Sequence, residues 1–300
     1  MTNTLPDTPW HRIQPTRSFI DELLHNEAIR TACPDMERMI ASVRLKVTEL
    51  GFDDEAEATV ALMGGDEDVL HAIVSYTHDL QDPDGLRAGN LYYEMNRVLR
   101  DRTPAGRAAM MANWGIAVHY LLKGLNMLPD VDGFVYRGFA HTGDEEKQRL
   151  LSHYRNGRPI QWGAFTSTSQ GIEMARSFAA STATGVIFKI RIQSGKVSQR
   201  PHAGRWEHPM GAPDGSTQWE HPHAQLTTTG RARTLRRLTH VRSAPSRSQD
   251  IRPLSFFDED EILLGPSHRF VVTSNNGGYA DDHGFTTVDL QQMAGEWFSS

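Results

Sequence analysis

Three short clusters of polar residues in the second half of the chain have types and spacings that could do chemistry. The first is Arg137, which ends the apolar run 133–136 and is followed by Gly138. An arginine there can hold a phosphate or a carboxylate through two parallel hydrogen bonds, and the glycine lets a ligand approach the backbone closely. A surface arginine in a weak ion pair is the alternative interpretation.

The second cluster is Ser167, Thr168 and Ser169, between a β-rich run and a short helical pattern. Serine and threonine before a helix satisfy its first free backbone N–H groups, which typically contributes about 1 kcal/mol. A helix cap is therefore one interpretation, and a part in a catalytic site is the other. The Gly-x-Ser-x-Gly pattern of a hydrolase nucleophile does not surround these serines.

The third cluster is the acidic run 258–261, directly before Ile262, Leu263 and Leu264. If a strand includes this run, its alternation points Glu259 and Glu261 to the same side as Leu263. Two carboxylates on one face can stabilise a developing positive charge and also handle a proton. An acidic turn on a solvated face is the alternative.

The elements that must position these clusters follow the order helices first and strands second. Residues 1–17 are predicted to be a flexible leader, 18–129 a helical part, and 130–300 a β-rich core. Apolar spacing of helical type runs over Phe19–Ile29, Pro34–Gly51, Val69–Asp79, Leu91–Arg100, Arg107–Met127 and Ile172–Ala179. The β-rich runs are Gly133–Phe139, Gln161–Ser167, Gly185–Ile192, Glu261–Leu264 and Arg269–Thr273. This order favours an α+β fold over alternating βαβ units.

Residues 196–253 differ in composition from the rest of the core. They hold ten lysine or arginine residues against four aspartate or glutamate residues, hence a net charge of +6, although the whole chain carries −6. So polar a segment supplies little core, and we expect it to be a long mobile insertion. It could bind an acidic partner or cover a site, and an inert linker is the alternative.

Composition excludes several classes of function. The net charge of −6 argues against a general nucleic-acid binder, and a single cysteine, Cys33, excludes both an intrachain disulfide and a multi-cysteine zinc site. His208, His221 and His223 lack the accompanying carboxylates or cysteines of a metal site, so no metal is expected. Neither a cleavable signal peptide nor a membrane-spanning run is found, which indicates a soluble protein.

Taken together and in this order, the three clusters resemble the arginine–serine–glutamate class of mono-ADP-ribosyltransferases, which includes bacterial toxins and effectors and vertebrate cell-surface enzymes. The resemblance runs from about Ile73 to about Val272. The segments similar to family motifs are Ser75–Thr77, Tyr92–Arg100, Leu121–Pro129, Val135–Gly138, Phe165–Ser169 and Glu259–Leu264. The resemblance implies an ADP-ribosyltransferase fold in which two packed β-sheets form an NAD+ cleft, preceded by a helical region.

The resemblance also implies roles at the NAD+ site. Arg137 would hold the phosphate-bearing end, the backbone of Gly138 would contact the nicotinamide carboxamide, and Ser167–Ser169 would line the site. Ser167 would orient Glu261 through a hydrogen bond. Glu261 would bond the ribose hydroxyl beside the breaking bond and stabilise the cation left when nicotinamide departs.

For the acceptor, the resemblance assigns Glu259 to an arginine side chain, whose guanidinium is a poor nucleophile until a proton is withdrawn. Phe178 stands where the family has an aromatic residue that packs on nicotinamide, although a core phenylalanine would serve equally well. Phe256 and Phe257 fall in the turn that recognises the acceptor, with ordinary packing as the alternative.

The function implied is cleavage of NAD+ and transfer of ADP-ribose to a protein side chain, with arginine favoured as the acceptor. Another acceptor such as threonine, plain NAD+ hydrolysis, and a catalytically inactive binding module are the alternatives. Without a signal peptide, disulfides or a lipid anchor, the chain is more similar to leaderless secreted bacterial effectors that act in a host cytosol. Otherwise a cytoplasmic protein is expected.

Overall fold

Helices fill the first part of the chain and strands the second in the computed structural model, which confirms the α+β class. The structure describes residues 13–51, 54–80, 89–141, 143–180, 185–193, 248–255, 261–266 and 268–293. The helices of the first part are α1 (Phe19–His25), α2 (Glu27–Ala32), α3 (Met36–Leu50), α4 (Asp54–Leu62), α5 (Glu67–Thr77), α6 (Leu91–Arg100) and α7 (Pro104–Met127). None of these described helices has the length and apolar character needed to cross a membrane.

The second part holds the strands with two further helices. Its elements are β1 (Gly133–Phe139), α8 (Asp144–His153), β2 (Pro159–Gln161), β3 (Thr166–Ser169), α9 (Ile172–Ala179), β4 (Val186–Ile192), β5 (Ser248–Asp250), β6 (Glu261–Leu264), β7 (Arg269–Ala280) and β8 (Thr286–Gln292). A short 3-10 helix, Arg252–Leu254, lies between β5 and β6.

Local capping explains where several of the helices begin. The hydroxyl of Ser18 accepts a hydrogen bond from the Asp21 N–H, as the sequence predicts for the start of α1. The run predicted as one helix from Phe19 to Ile29 is interrupted at Asn26, where the backbone is extended and the side chain caps α2. The Asn26 side chain accepts hydrogen bonds from two N–H groups of α2. These bonds favour a new helix start at Asn26 over a continuous helix.

The eight described strands form one sheet in the order β2-β7-β8-β4-β1-β3-β6-β5. The sheet has a five-strand half (β2, β7, β8, β4 and β1) and a three-strand half (β3, β6 and β5). β1 pairs with β4 over all seven of its residues, but it is joined to β3 through the single pair Tyr136–Ser169. The two sheets implied by the family resemblance are thus two halves of one sheet, which meet at this β1–β3 junction.

Among the described residues, two large hydrophobic cores flank the sheet, and a smaller cluster packs α9 on it. The helical core combines the buried faces of the first helices with Phe165, Ile251, Leu254 and Leu263 of the three-strand half. The sheet core gathers apolar side chains of β1, β4, β7 and β8, and it also includes Ile262 and Leu264. All four residues of β6 are buried, since this strand has one face on each core.

The structure corrects two of the predicted boundaries in the second part. The β-rich run 161–167 is split, because β2 pairs with β7 in one half of the sheet and β3 with β6 in the other. The predicted insertion 196–253 is too long at its C-terminal end, since Ser248–Asp250 forms β5 and Ile251 is fully buried. Residues 196–247 lie outside the described residues. The elements α8 and β8 were not predicted.

Candidate active site

Arg137 connects the two halves of the sheet. It lies opposite Phe188 of β4, and its guanidinium Nη1 donates a 2.8 Å hydrogen bond to the carbonyl oxygen of Ser167 on β3. The residue is half-buried. A permanent cation is therefore held at the β1–β3 junction by a backbone group of the opposite half.

A group of aromatic side chains in the sheet core lies beside Arg137. Tyr154, Trp162 and Phe188 are in ring contact, with centroids 4.8 Å apart for Tyr154 and Phe188 and 5.9 Å for Trp162 and Phe188. The indole N–H of Trp162 donates to the Tyr154 hydroxyl at 3.1 Å. Burial raises the pKa of Tyr154, and the Arg137 charge opposes that rise, which places the guanidinium near this group. No pattern in the sequence predicted this aromatic group beside Arg137.

The packing of α9 on β1 requires a glycine at position 138. A Cβ atom built on Gly138 would lie 1.8 Å from the carbonyl oxygen of Ala175 and 2.9 Å from the Ala179 nitrogen, both in α9. The helix backbone therefore rests directly on β1, at a distance that no side chain allows. In the structure, α9 occupies the space that a side chain at position 138 would need. The predicted contact of the Gly138 backbone with nicotinamide stays a prediction.

The Ser167–Ser169 cluster lies on β3 and does not cap the helix that follows. The N-cap residue of α9 is Gly171, which makes no side-chain cap bond. Instead, the Thr168 hydroxyl donates to the Ile262 carbonyl oxygen at 2.7 Å, and the Ser169 hydroxyl donates to the Gly171 carbonyl oxygen at 2.6 Å. The helix-cap interpretation is therefore wrong.

Glu261 lies directly across from Ser169 in the β3–β6 pair, and Ser167 lies across from Leu263. Ser167 and Glu261 thus share a face as diagonal neighbours, a geometry within reach of side chains. Ser167 is exposed, whereas Glu261 is only 9% exposed. The solvated-turn interpretation does not apply to Glu261, and the Ser167–Glu261 hydrogen bond stays a prediction.

Tyr76 of α5 brings the helical core to the same place. It is buried, its hydroxyl accepts a 2.8 Å hydrogen bond from the Asn96 amide, and its ring centroid is 5.3 Å from that of Phe165, just before β3. Burial raises the pKa of Tyr76 and the Asn96 bond opposes the rise. The Glu261 charge raises this pKa further, and the charges of Arg137 and Arg100 lower it.

Tyr76 and Arg100 therefore lie within electrostatic range of the predicted site, although the sequence analysis assigned no role to either. Both belong to the helical segments that carry the family resemblance, Ser75–Thr77 and Tyr92–Arg100. Those motifs were the signal that could have found them.

Phe178 is on α9, the helix that packs on Gly138, and its side chain is 49% exposed. Its role as a core residue is therefore excluded, and the ring is free to pack on a ligand. Glu259, Phe256 and Phe257 lie outside the described residues, as do His208, His221 and His223. Within the described ranges, no group of three His, Cys, Asp or Glu side chains could hold a metal ion.

An open cleft of about 930 Å³ on the helical part is the main competing location for a ligand. Its walls carry charges of both signs, from Arg17 and Arg97 and from Glu22 and Glu27. Among its described lining residues no aromatic side chain is found, and none of the predicted site residues contributes. The Arg137 guanidinium, the Glu261 carboxylate and the exposed Phe178 ring lie instead on elements that adjoin the β1–β3 junction.

Comparisons with known proteins agree on the fold. No protein-family model and no curated protein matches the sequence, but solved structures do. The ADP-ribosyltransferase HopU1 of Pseudomonas syringae pv. tomato DC3000 is similar with a TM-score of 0.51 and 20% identity, over 81% of this chain and 84% of HopU1. The chain therefore has the ADP-ribosyltransferase fold.

Two further solved structures are less similar. The ADP-ribosyltransferase Vis, a Vibrio splendidus toxin crystallised with agmatine, has a TM-score of 0.44 and 17% identity over 76% of this chain and 74% of Vis. Exoenzyme S from Pseudomonas aeruginosa, crystallised with human 14-3-3 protein beta and carba-NAD, has a TM-score of 0.39 and 16% identity over 83% of this chain and 88% of its own.

Proposed function

Because the chain has the fold of ADP-ribosyltransferases, we propose that it cleaves NAD+ and transfers ADP-ribose to a protein side chain, with arginine as the acceptor. The observation that carries the proposal is the meeting of Arg137, Ser167 and Glu261 at the β1–β3 junction, although 124 residues separate Arg137 from Glu261. These are the three residue types of the class that the sequence resembles.

Recognition of NAD+ would begin with its pyrophosphate. Arg137 supplies planar donors that match phosphate oxygens, and Arg100 brings a second cation close to the same tyrosine. Two cations would balance the two negative charges of the pyrophosphate better than a single cation would. The exposed ring of Phe178 then offers a flat apolar surface to the nicotinamide ring, next to the strand that carries Arg137 and Gly138.

Bond cleavage would depend on Glu261. As the bond between nicotinamide and ribose breaks, its electron pair leaves with nicotinamide, and positive charge develops on the ribose ring. A carboxylate held in a largely buried position stabilises that charge more strongly than one in water. Glu261 is so held, because its strand has one face on each of the two cores.

Transfer to arginine would depend on Glu259, two residues before Glu261. The guanidinium nitrogen forms a bond to the ribose carbon that lost nicotinamide, and it gives up a proton, which Glu259 accepts. Phe256 and Phe257 would contact the acceptor protein. As with the effectors that the sequence resembles, we propose an acceptor protein in a host cell.

The test is to incubate the purified chain with NAD+ and host-cell lysate and to analyse the proteins by mass spectrometry. We expect ADP-ribose on arginine and free nicotinamide in solution. ADP-ribose on another side chain would correct the acceptor. Free ADP-ribose alone would indicate an NAD+ glycohydrolase, and no NAD+ turnover would contradict the proposal in favour of a binding module.

Two matched substitutions separate the roles of the carboxylates. Glu261→Gln should abolish nicotinamide release and transfer together, by about 10³-fold, since it removes the charge that faces the cation. Glu259→Gln should abolish transfer but leave measurable NAD+ cleavage. Equal losses of cleavage in the two variants would contradict this division of roles.

A further inference from the structure

Helix α9 approaches the sheet at two very close backbone contacts. Besides the contact at Gly138, a Cβ atom built on Gly185 would lie 2.4 Å from the Ala179 carbonyl oxygen. The residues of α9 that face the sheet are the small and buried Ala175 and Ala179, packed with Ile187 and Phe285, and the partly buried Ile172 at the start of the helix. Ile172 anchors the first turn of α9, but the last turn, which carries Phe178, meets the sheet only through alanines and has no large side chain there to stop it from rolling about the helix axis.

Phe178 and Arg176 flank this alanine stripe on opposite sides. With 3.6 residues per turn, Phe178 lies roughly 60° before Ala175 around the helix axis, and Arg176 lies roughly 60° beyond Ala179. A roll of α9 that moves one of these side chains toward the sheet therefore moves the other away. Whatever fixes Arg176 also fixes the position of the exposed Phe178 ring.

Arg176 is fixed from the neighbouring hairpin. Its side chain is only 19% exposed, and its guanidinium Nη2 lies 3.8 Å from Oδ2 of Asp281, in the turn between β7 and β8. The other carboxylate oxygen of Asp281 accepts from the N–H groups of His283 and Phe285, both at 2.9 Å. A second partner, Glu173, contacts Arg176 at 2.6 Å but is 79% exposed.

The turn that holds Asp281 is itself rigid. The Asp281 N–H donates a 2.8 Å hydrogen bond to the Phe285 carbonyl oxygen, and Gly284 adopts a φ of +86°, which other residues rarely adopt. Phe285 then packs against the alanines of α9. Oδ2 of Asp281, which faces Arg176, therefore belongs to a turn that its own hydrogen bonds and the packing of Phe285 hold in place.

We propose that Asp281, through Arg176, is a positioning residue that sets the roll of α9 and hence the placement of the Phe178 ring on nicotinamide. The placement of the ring rests on the proposed function, while the anchoring of α9 does not. Asp281 lies far along the chain from α9 and touches no reacting group.

The charge state of Asp281 suits this role. Burial alone would raise its pKa, but the Phe285 and His283 N–H groups and the Arg176 charge outweigh it and leave the pKa lowered. The carboxylate therefore stays ionised at neutral pH, as the ion pair requires.

The test is a double-mutant cycle between Asp281→Asn and Phe178→Ala, with KM for NAD+ and kcat measured separately. Asp281→Asn should raise KM roughly three- to ten-fold, the effect of one aromatic contact, with little change in kcat. In the Phe178→Ala background the same substitution should change KM less than about two-fold, because the ring it positions is gone. The control is Glu173→Gln, which removes the exposed partner of Arg176 and should leave KM unchanged.

Amide hydrogen exchange of α9 gives a readout independent of activity. Residues 176–180 should exchange faster in Asp281→Asn than in the wild type or in Glu173→Gln, while thermal unfolding confirms that each variant is folded. Unchanged exchange, or an equal rise in KM with and without the Phe178 ring, would overturn the inference. No NAD+ cleavage by the wild type, with faster exchange in Asp281→Asn, would overturn the proposed function and leave the anchor standing.

Discussion

The two halves of the sheet are built in different ways. The five-strand half contributes most of the sheet core, and long registered pairs join its strands, such as the seven pairs between β1 and β4. The three-strand half has strands of three and four residues and takes much of its stability from the helices that pack on Leu263, Leu254 and Ile251. Each half therefore has its own source of stability.

The candidate site lies where these halves meet, and there the contacts are few. One registered pair joins β1 to β3, and the Arg137–Ser167 hydrogen bond reinforces it. Polar side chains can be placed at such a border at little cost to either core. The comparison predicts that substitutions at the junction reduce activity more than stability, while substitutions within a half do the reverse.

The largest effect is expected for Arg137→Lys. Lysine keeps the charge but replaces the spaced donor nitrogens of the planar guanidinium with a single nitrogen, so it loses the geometry that bonds the Ser167 carbonyl on one side and two phosphate oxygens on the other. We expect kcat/KM for NAD+ cleavage to fall by about 10²- to 10³-fold, and the free energy of unfolding to change by less than about 1 kcal/mol. Enzyme kinetics and urea unfolding measure the two quantities.

Arg155→Lys is the matched control, because Arg155 also donates to a serine carbonyl, that of Ser152, but is exposed and away from the junction. It should leave both quantities unchanged. If Arg137→Lys lost as much free energy of unfolding as of transition-state stabilisation, the junction would be needed for folding. The predicted difference between the junction and the two halves would then be wrong.

The next effect is expected for Gly138→Ala, which acts within the five-strand half. The new methyl group would meet the Ala175 carbonyl oxygen at 1.8 Å, and both partners are backbone, so α9 must move away from β1. We expect a loss of about 3 kcal/mol in the free energy of unfolding. Gly143→Ala is the control, since a Cβ atom there meets nothing within 4 Å and the φ of 175° suits any residue.

Cys33 shows whether the two halves unfold together. Its thiol is buried in the helical core, and burial raises its pKa to about 12, so the native protein should resist thiol reagents. Because β6 has a face on each core, Gly138→Ala should accelerate Cys33 labelling by the factor that its lost stability implies, about 100-fold for 3 kcal/mol. Unchanged labelling would mean that the helical core unfolds independently.

Sequence patterns predicted the elements where periodicity was strong. The ends of α3 at Asp35 and Gly51 were predicted, and so was β1, because caps and apolar spacing are local properties. Glu261 was expected to share a face with Leu263, and that was correct because β6 is regular. β8 alternates buried and partly exposed residues, so its pattern was present but not used.

What could not be predicted depends on partners far away in the chain. The run 161–167 is one apolar stretch in sequence, but its ends pair with different strands, which nothing within the run indicates. The reason for Gly138 is a helix 37 residues away from it at Ala175. Likewise, the burial of Tyr76 near Glu261 arises only when α5 packs beside β6.

The smallest of these effects is a pH dependence at the place where the chain crosses between the halves. His268 lies in the turn from β6 to β7, is fully buried, and contacts the Gly265 carbonyl oxygen through Nδ1 at 2.7 Å. Burial lowers its pKa from 6.5 to about 4. Between these two values the unfolded chain binds a proton that the folded chain refuses, so acidification favours unfolding.

Lowering the pH from 7 to 5 should therefore reduce the free energy of unfolding by about 2 kcal/mol through His268 alone, as measured by urea unfolding at each pH. His268→Gln should remove that part of the dependence and His153→Gln, an exposed histidine of α8, should not. Burial also lowers the pKa of His78 at the end of α5, so His78→Gln isolates the same effect in the helical part. If His78→Gln, and not His268→Gln, removed the pH dependence of the free energy of unfolding, acid would destabilise the helical part. The turn from β6 to β7 would then not contribute.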